Sequence, residues 1–178
     1  MNALELPTVI VLASGRGERF IASGGATHKL KALLRGKPLL QHTLDAVKAS
    51  GLPWHLEDAG HPGMGDSIAA AVRATPGAAG WLILPGDLPL VQPHTLYELA
   101  TVLPQRDVLV PVYQGRRGHP VRFAARFGAA LMALGGDRGA AEIARAAGVT
   151  EWVVGDAGCV TDIDTVQDLQ RAGAALCI

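Results

Sequence analysis

Thr8-Val-Ile-Val-Leu12 is a short run that is almost wholly apolar and β-branched. That pattern predicts a strand buried on both faces, as in a parallel sheet. It leads straight into Ala13-Ser-Gly-Arg-Gly17, a turn. From Pro38 the spacing becomes helical, with Leu40, Leu44 and Val47 at i, i+4 and i+7 and Gly51 as the stop. Trp54–Glu57 reads as a second strand and Asp66–Arg73 as a short Ala-rich helix. Trp81–Leu84 is a buried strand ended by Pro85-Gly86-Asp87, and Pro93 opens a helix through Leu103. Val108–Val112 and Pro120–Phe123 read as strands. Ala125–Leu134 and Ala140–Ala147 read as helices around Gly135-Gly136-Asp137, and Trp152–Val154 as a last strand. Thr165 caps a final helix, with Asp168 placed for a capping box. Strands alternating with helices imply βαβ units, hence an α/β fold with a mostly parallel sheet.

Composition narrows this further. The chain has 178 residues, 49% hydrophobic and 18% charged, with zero formal net charge. That size suits one domain, taken as residues 1–178. A general nucleic-acid binder would be basic, so nucleic acid is not expected as a partner. Met1–Pro7 lacks a basic signal-peptide region, and no uncharged apolar run reaches membrane-spanning length. A cytoplasmic protein without membrane contact is expected. Cys159 and Cys177 form no metal-ligand pattern and read as packed or surface thiols.

Three segments carry chemistry. The first is Leu12-Ala-Ser-Gly-Arg-Gly-Glu-Arg19, at the end of the first strand. Ligands in open α/β sheets sit beyond the carboxyl ends of the strands. Gly15 and Gly17 let backbone N–H groups converge on an anion, and Arg16 and Arg19 add charge-assisted donors. The loop lacks the third glycine of a dinucleotide fingerprint, and Gly36-Lys37 is followed by Pro38 rather than the Ser or Thr of a Walker A loop. The second is Pro85-Gly-Asp-Leu-Pro89, where Asp87 is placed to hold Mg²⁺ against triphosphate oxygens. The third is Asp162-Ile-Asp-Thr165, where Asp162 and Asp164 point the same way if extended. Helix capping is the plain alternative for these aspartates.

Together these segments resemble the molybdenum-cofactor nucleotidyltransferases, in particular the cytidylyltransferase branch, within the sugar-phosphate-type nucleotidyltransferases. The resemblance runs in order over nearly the whole chain: Leu12–Phe20, Lys29 with Leu33–Leu40, Gly63-Met-Gly-Asp-Ser-Ile68, Gly86-Asp-Leu-Pro-Leu-Val91, Gly118-His-Pro-Val121, Gly136-Asp-Arg-Gly-Ala140 and Asp162–Thr165. Ser14 stands where the family usually has Ala or Gly, and Phe20 where it has Met. The segment Ile21–His28 is longer than usual, and Lys31 competes with Lys29 for the family lysine.

The resemblance implies a three-layer Rossmann-like domain of the nucleotide-diphospho-sugar transferase type and an Mg²⁺-dependent nucleotidyltransferase. Leu12, Ala13, Ser14, Gly15, Arg16, Gly17, Arg19 and Lys29 would hold the triphosphate and base. Gly63, Met64 and Ser67 would lie along the nucleoside. Asp87 and Asp164 would ligate Mg²⁺. His119, Asp137, Arg138 and Gly139 would face a molybdopterin-type acceptor, with Arg16, Arg19, Lys29 and Asp87 carrying the chemistry. The favoured reaction transfers CMP from CTP to the phosphate of molybdenum-bound molybdopterin. The alternatives are a GTP-using guanylyltransferase, a sugar-phosphate nucleotidyltransferase, and a non-catalytic cofactor chaperone that docks on a molybdenum-containing dehydrogenase.

Overall fold

A computed structural model describes residues 5–103 and 105–176. The first apolar run forms β1 (Thr8–Leu12), and a short helix α1 (Glu18–Ala22) follows Gly17. The small strands β2 (Leu33–Leu34) and β3 (Lys37–Pro38) lead into α2 (Leu39–Ala49), then β4 (Trp54–Glu57), α3 (Met64–Ala74), β5 (Gly80–Pro85) and α4 (Pro93–Thr101). The remainder is β6 (Val108–Tyr113), β7 (Arg116–Arg117), β8 (Val121–Ala124), α5 (Gly128–Met132), α6 (Ala141–Ala147), β9 (Thr150–Val153) and α7 (Val166–Ala175). Short 3₁₀ turns occupy Lys29–Lys31, Ala125–Phe127 and Ala157–Val160.

Seven strands make the main sheet, in the order β4-β1-β5-β8-β6-β7, with β9 beside β6. β1 pairs in parallel with β4 and β5, and β6 in parallel with β9. The expected strand near Pro120–Phe123 is the antiparallel one: β8 runs against both β5 and β6. Strand alternation divides the core. Val9 and Val11 of β1, with Leu82 and Leu84 of β5, pack on Leu44 and Val47 of α2 and on Leu96 and Leu99 of α4. Ile10 and Ile83 face the other way, towards Ile68, Ala71 and Val72 of α3 and Leu131 of α5. The sheet is therefore sandwiched between helices on both faces, as expected.

Several boundaries differ from the sequence reading, each for a local reason. The Arg35-Gly36 turn of the β2–β3 hairpin places both residues at positive φ, 54° and 79°, the geometry of a tight two-residue hairpin. Its strands are too short to show a period. The helix expected over Ala125–Leu134 splits into a 3₁₀ turn and α5. Gly128 lies at the break, and a Cβ there would stand 2.9 Å from the Trp81 ring. α4 stops at Thr101, and Leu103 is exposed. Helix α7 starts with the full capping box: Thr165 accepts from the Asp168 N–H, and Asp168 accepts from the Thr165 N–H. Cys159 is buried, with its thiol pushed up to about 12 by burial and by neighbouring Asp156. Cys177 falls outside the described residues.

A third apolar cluster joins distant parts of the chain. Phe20, Leu30, Leu34, Leu39, Ile163 and Ala172 pack together. Leu30 and Ile163 are thus anchors for their polar neighbours Lys29 and Asp164. On the other side of the sheet edge, the start of α3 docks on the turn at Gly135–Arg138. The Gly65 N–H donates to the Gly136 carbonyl at 2.8 Å, and the Gly136 N–H donates to the Asp66 carboxylate at 3.0 Å. A Cβ on Gly63 would collide with the Gly136 carbonyl. Gly63→Ala is therefore expected to cost about 1–3 kcal/mol through forced backbone movement. Urea unfolding of the variant beside Gly155→Ala, where a Cβ meets open space, checks this. Equal losses at both positions would count against the close approach.

Candidate active site

Register sets the site. Leu12 of β1 lies opposite Glu57 of β4 and opposite Pro85 of β5. The three parallel strands therefore end level with one another. The loops that follow them, Ala13–Gly17, Asp58–Gly63 and Gly86–Asp87, gather on one edge of the sheet, where open α/β sheets bind ligands. A cavity of about 750 Å³ opens there. Gly17 permits a close approach in the first loop: it sits at φ 67°, and a Cβ would stand 3.1 Å from Lys29 Cβ. His28 clips the first loop in place, its Nε2–H donating to the Gly15 carbonyl at 2.6 Å while Nδ1 accepts from the Leu30 N–H.

At the centre lies an ionic cluster. Lys29 Nζ donates to Asp87 Oδ2 at 2.7 Å and to Asp164 Oδ1 at 3.0 Å. Arg19 Nη1 meets the other oxygen of Asp164 at 2.7 Å. Backbone reinforces the arrangement, since the Ile163 N–H donates to the Asp87 carbonyl at 3.0 Å. Burial works to lower the Lys29 pKa, but Asp87 and Asp164 together outweigh it and raise the value, so the side chain stays an ammonium. Asp162 also lines the cavity. Burial, the neighbouring Asp164 and then Asp87 raise its carboxyl above the usual range.

Two buried polar atoms have no hydrogen-bond partner among the described residues: Asp87 Oδ1 and His119 Nδ1. A buried carboxylate oxygen without a donor is costly unless a cation or ligand satisfies it. Asp87 and Asp164 are therefore a fitting donor pair for a hard divalent cation, which commonly takes one or two protein carboxylates. The His119 ring is hydrogen-bonded to backbone at Ile83. Burial lowers its pKa, against smaller opposing effects of that bond, Asp87 and Asp162, so it is neutral at neutral pH.

The cavity wall brings together most of the residues singled out in the sequence: Leu12, Ser14, Gly15, Arg16, Gly17, Arg19, Lys29, Gly63, Met64, Ser67, Asp87, His119, Asp137 and Asp164. Ala13, Arg138 and Gly139 are not on it. Ala13 packs against the third apolar cluster. The Arg138 carbonyl sits against Gly65, and Gly139 lies against Met64. Of the two candidate lysines, Lys29 lines the cavity, whereas Lys31 is exposed and is not on its wall. Ser14 and Ser67 are hydrogen-bonded through their hydroxyls, and Ser67 donates to the Gly63 carbonyl at 3.1 Å.

Other wall residues were not anticipated. Arg116 and Arg117 of β7 reach the cavity from the far side of the sheet. The adjacent arginines before Gly118 were the available signal. His61 also lines the wall, its Nε2 hydrogen-bonded to Glu57 Oε1 at 2.9 Å, with His55 Nε2 at 3.3 Å from Oε2. Glu57 is buried at the end of β4. Its burial favours the neutral acid, but hydrogen bonds from His61, His55 and the Ala59 backbone together hold its pKa below the ordinary value.

The family described as the MobA-like NTP transferase domain matches residues 45–151, a stretch that includes Asp87, His119 and the docked Gly63–Ser67 and Gly136–Gly139 segments. The chain belongs to this family. Rv0371c from Mycobacterium tuberculosis H37Rv superposes with a TM-score of 0.80 at 26% identity, covering 98% of this chain and 100% of that one. A manganese complex of the same mycobacterial protein superposes with a TM-score of 0.74 at 24% identity, covering 96% of this chain and 99% of that one. The molybdopterin-guanine dinucleotide biosynthesis protein A of Archaeoglobus fulgidus gives 0.68 at 21% identity, covering 96% and 98%, and shares the fold. The bifunctional protein GlmU of Xylella fastidiosa (strain 9a5c) is 30% identical over 60% of this chain but only 28% of its own length. The chain thus spans little more than a quarter of that curated relative. The chain therefore carries a MobA-like NTP transferase domain with the nucleotide-diphospho-sugar transferase fold. Among the described residues no helix is long and apolar enough to cross a membrane.

The Glu57 cluster generates a pH prediction. A carboxyl whose folded pKa is depressed contributes stability that is present above its unfolded value, near 4.5, and lost as pH falls through the folded value. Glu57→Gln is expected to lower stability at neutral pH by roughly 1–3 kcal/mol and to flatten the acid limb of the stability–pH profile below that value. Unfolding free energies measured from pH 3 to 7 for both proteins check this (roughly the carboxylate range). Parallel profiles would show that Glu57 does not titrate with folding.

Proposed function

We propose that the chain transfers CMP from CTP to the terminal phosphate of molybdenum-bound molybdopterin, releasing pyrophosphate. The observation that carries the nucleotidyl-transfer part is the meeting of Asp87, Asp164, Lys29 and Arg19 at the carboxyl edge of the sheet, beside the Gly15–Gly17 loop. The acceptor rests on the sequence resemblance, and the likeness to the Archaeoglobus protein supports it.

In this reading an acceptor phosphate oxygen forms a bond to the α-phosphorus as the bond from that phosphorus to the β-phosphate bridging oxygen breaks. The electron pair leaves with pyrophosphate. The acceptor is a phosphate monoester with a second pKa of about 6. It is ionised at neutral pH, so the reaction needs no general base, and a neutral, half-buried His119 suits a binding role. The chain's task is positioning and charge neutralisation. Asp87 and Asp164 would hold Mg²⁺, which when bound polarises the phosphoryl oxygens and offsets their charge. Arg16, Arg19 and Lys29 draw the triphosphate to the first loop and neutralise the departing pyrophosphate. Gly63, Met64 and Ser67 line the nucleoside side of the cavity, and Ser14, bound to Ser67, adds a polar atom there. His119 and Asp137 face the acceptor. Arg116 and Arg117 bring cationic groups to that side of the same cavity, which suits two anionic substrates meeting in one space. Mg²⁺ and a cytoplasmic setting belong to this proposal.

Pyrophosphate release with Mg²⁺ and molybdenum-loaded cofactor, run with CTP and GTP in parallel, tests the reading. Release with CTP supports it, and release with GTP alone makes the protein a guanylyltransferase. Triphosphate binding without release, with the pterin held tightly, matches the cofactor chaperone. Release with a sugar phosphate but not the pterin moves the acceptor. Asp87→Ala is expected to abolish turnover while the far-UV spectrum stays native, and near-normal activity would remove Asp87 from the mechanism. Arg19→Ala is expected to weaken triphosphate binding by about 1.5–3 kcal/mol. A calorimetric titration with unchanged affinity would end that role.

A further inference from the structure

Lys29 stands where its two carboxylate partners converge. One ammonium nitrogen lies 2.7 Å from Asp87 and 3.0 Å from Asp164, the same two residues that fit a divalent cation. Mg²⁺ ligates oxygen at about 2.0–2.1 Å. It cannot bind both of these carboxylate oxygens while the ammonium remains between them, because the two cations repel and overlap. The Lys29 side chain is 13% exposed, so an ammonium displaced without a new partner would be left charged in a poorly solvated place. A triphosphate on the Gly15–Gly17 loop would supply that partner, since Gly17 is in contact with the Lys29 stem.

We propose that Lys29 acts as an internal counter-ion that occupies the carboxylate pair until metal and triphosphate arrive together. The triphosphate takes over the lysine while the carboxylates take over the metal. Free cation alone binds weakly: Asp87 Oδ1 has no partner among the described residues, but both oxygens of Asp164 are held, by Lys29 and Arg19, so bridging the pair through Asp164 Oδ1 must displace Lys29. A nucleotide strengthens metal binding and the metal strengthens nucleotide binding by the same factor, as linkage requires. Metal and triphosphate therefore bind as a coupled pair. This inference rests on the reading of Asp87 and Asp164 as metal ligands.

The test counts free Mn²⁺ by electron paramagnetic resonance in titrations of the full chain, with and without a non-hydrolysable CTP analogue. Wild-type protein is expected to bind Mn²⁺ weakly alone and markedly more tightly with the analogue. Lys29→Met is expected to bind Mn²⁺ alone about tenfold or more tightly than wild type and to lose most of the nucleotide effect. Lys29→Gln, which keeps polarity without charge, should behave like Lys29→Met and serves if the latter does not fold. Lys29→Arg, which keeps the charge, should stay near wild type. Equal or weaker Mn²⁺ binding by both uncharged variants overturns the proposal. Asp87→Asn separates the two layers of the argument. If it removes Mn²⁺ binding while the Lys29 variants show no gain, the metal site stands and the counter-ion role fails. If Mn²⁺ binding survives Asp87→Asn, the metal reading itself fails.

Discussion

The ammonium of Lys29, held between carboxylates from the end of β5 and from the segment before α7, is the interaction on which the site depends. It joins residues 58 and 135 positions away in the chain. Two half-buried carboxylates side by side repel, and the ammonium between them offsets that repulsion. The lysine in turn keeps its charge in a desolvated place because of those carboxylates. The apolar cluster of Leu30, Ile163, Phe20 and Ala172 supplies the burial that makes the pairing selective.

Around that cluster the fold is an arrangement for level ends. Parallel pairing of β1 with β4 and β5 brings Leu12, Glu57 and Pro85 into one row, so three loops share one edge. Close backbone approaches then lock the loops: Gly63 on Gly136, Gly118 on the Cys159 carbonyl, and Gly158 on the Leu90 carbonyl. Glu57 ties the second loop to the sheet through its histidines. The rim is thus held by close backbone contacts where it positions charge, and its cationic groups come from the segment after β1 and from the edge strand β7.

The main strands were legible because they are buried on both faces and read as continuous apolar runs. Thr8–Leu12 and Trp54–Glu57 came out with their observed bounds. The direction of β8 was not legible, since a four-residue run carries no orientation. α1 and the β2–β3 hairpin were missed because each is shorter than the period that would reveal it. Ion pairs across long separations have no local signature: Asp87 and Asp164 were singled out by their own local segments and Lys29 through family resemblance, and their junction depends on the sheet order. Glu57, His28 and His61 lacked even that help. A lone histidine in a sequence does not show which carbonyl or carboxylate it will meet.

In the proposed site the Asp87–Asp164 pair with Lys29 holds a metal and a triphosphate. Crystals of the protein soaked with Mn²⁺ and a non-hydrolysable CTP analogue, with anomalous diffraction recorded at the manganese edge, test it most directly. The expected result is an anomalous peak bonded to Asp87 and Asp164, with Lys29 moved from those carboxylates onto the phosphates. A bound nucleotide whose manganese lies away from Asp87 and Asp164, with Lys29 still bridging them, would contradict it.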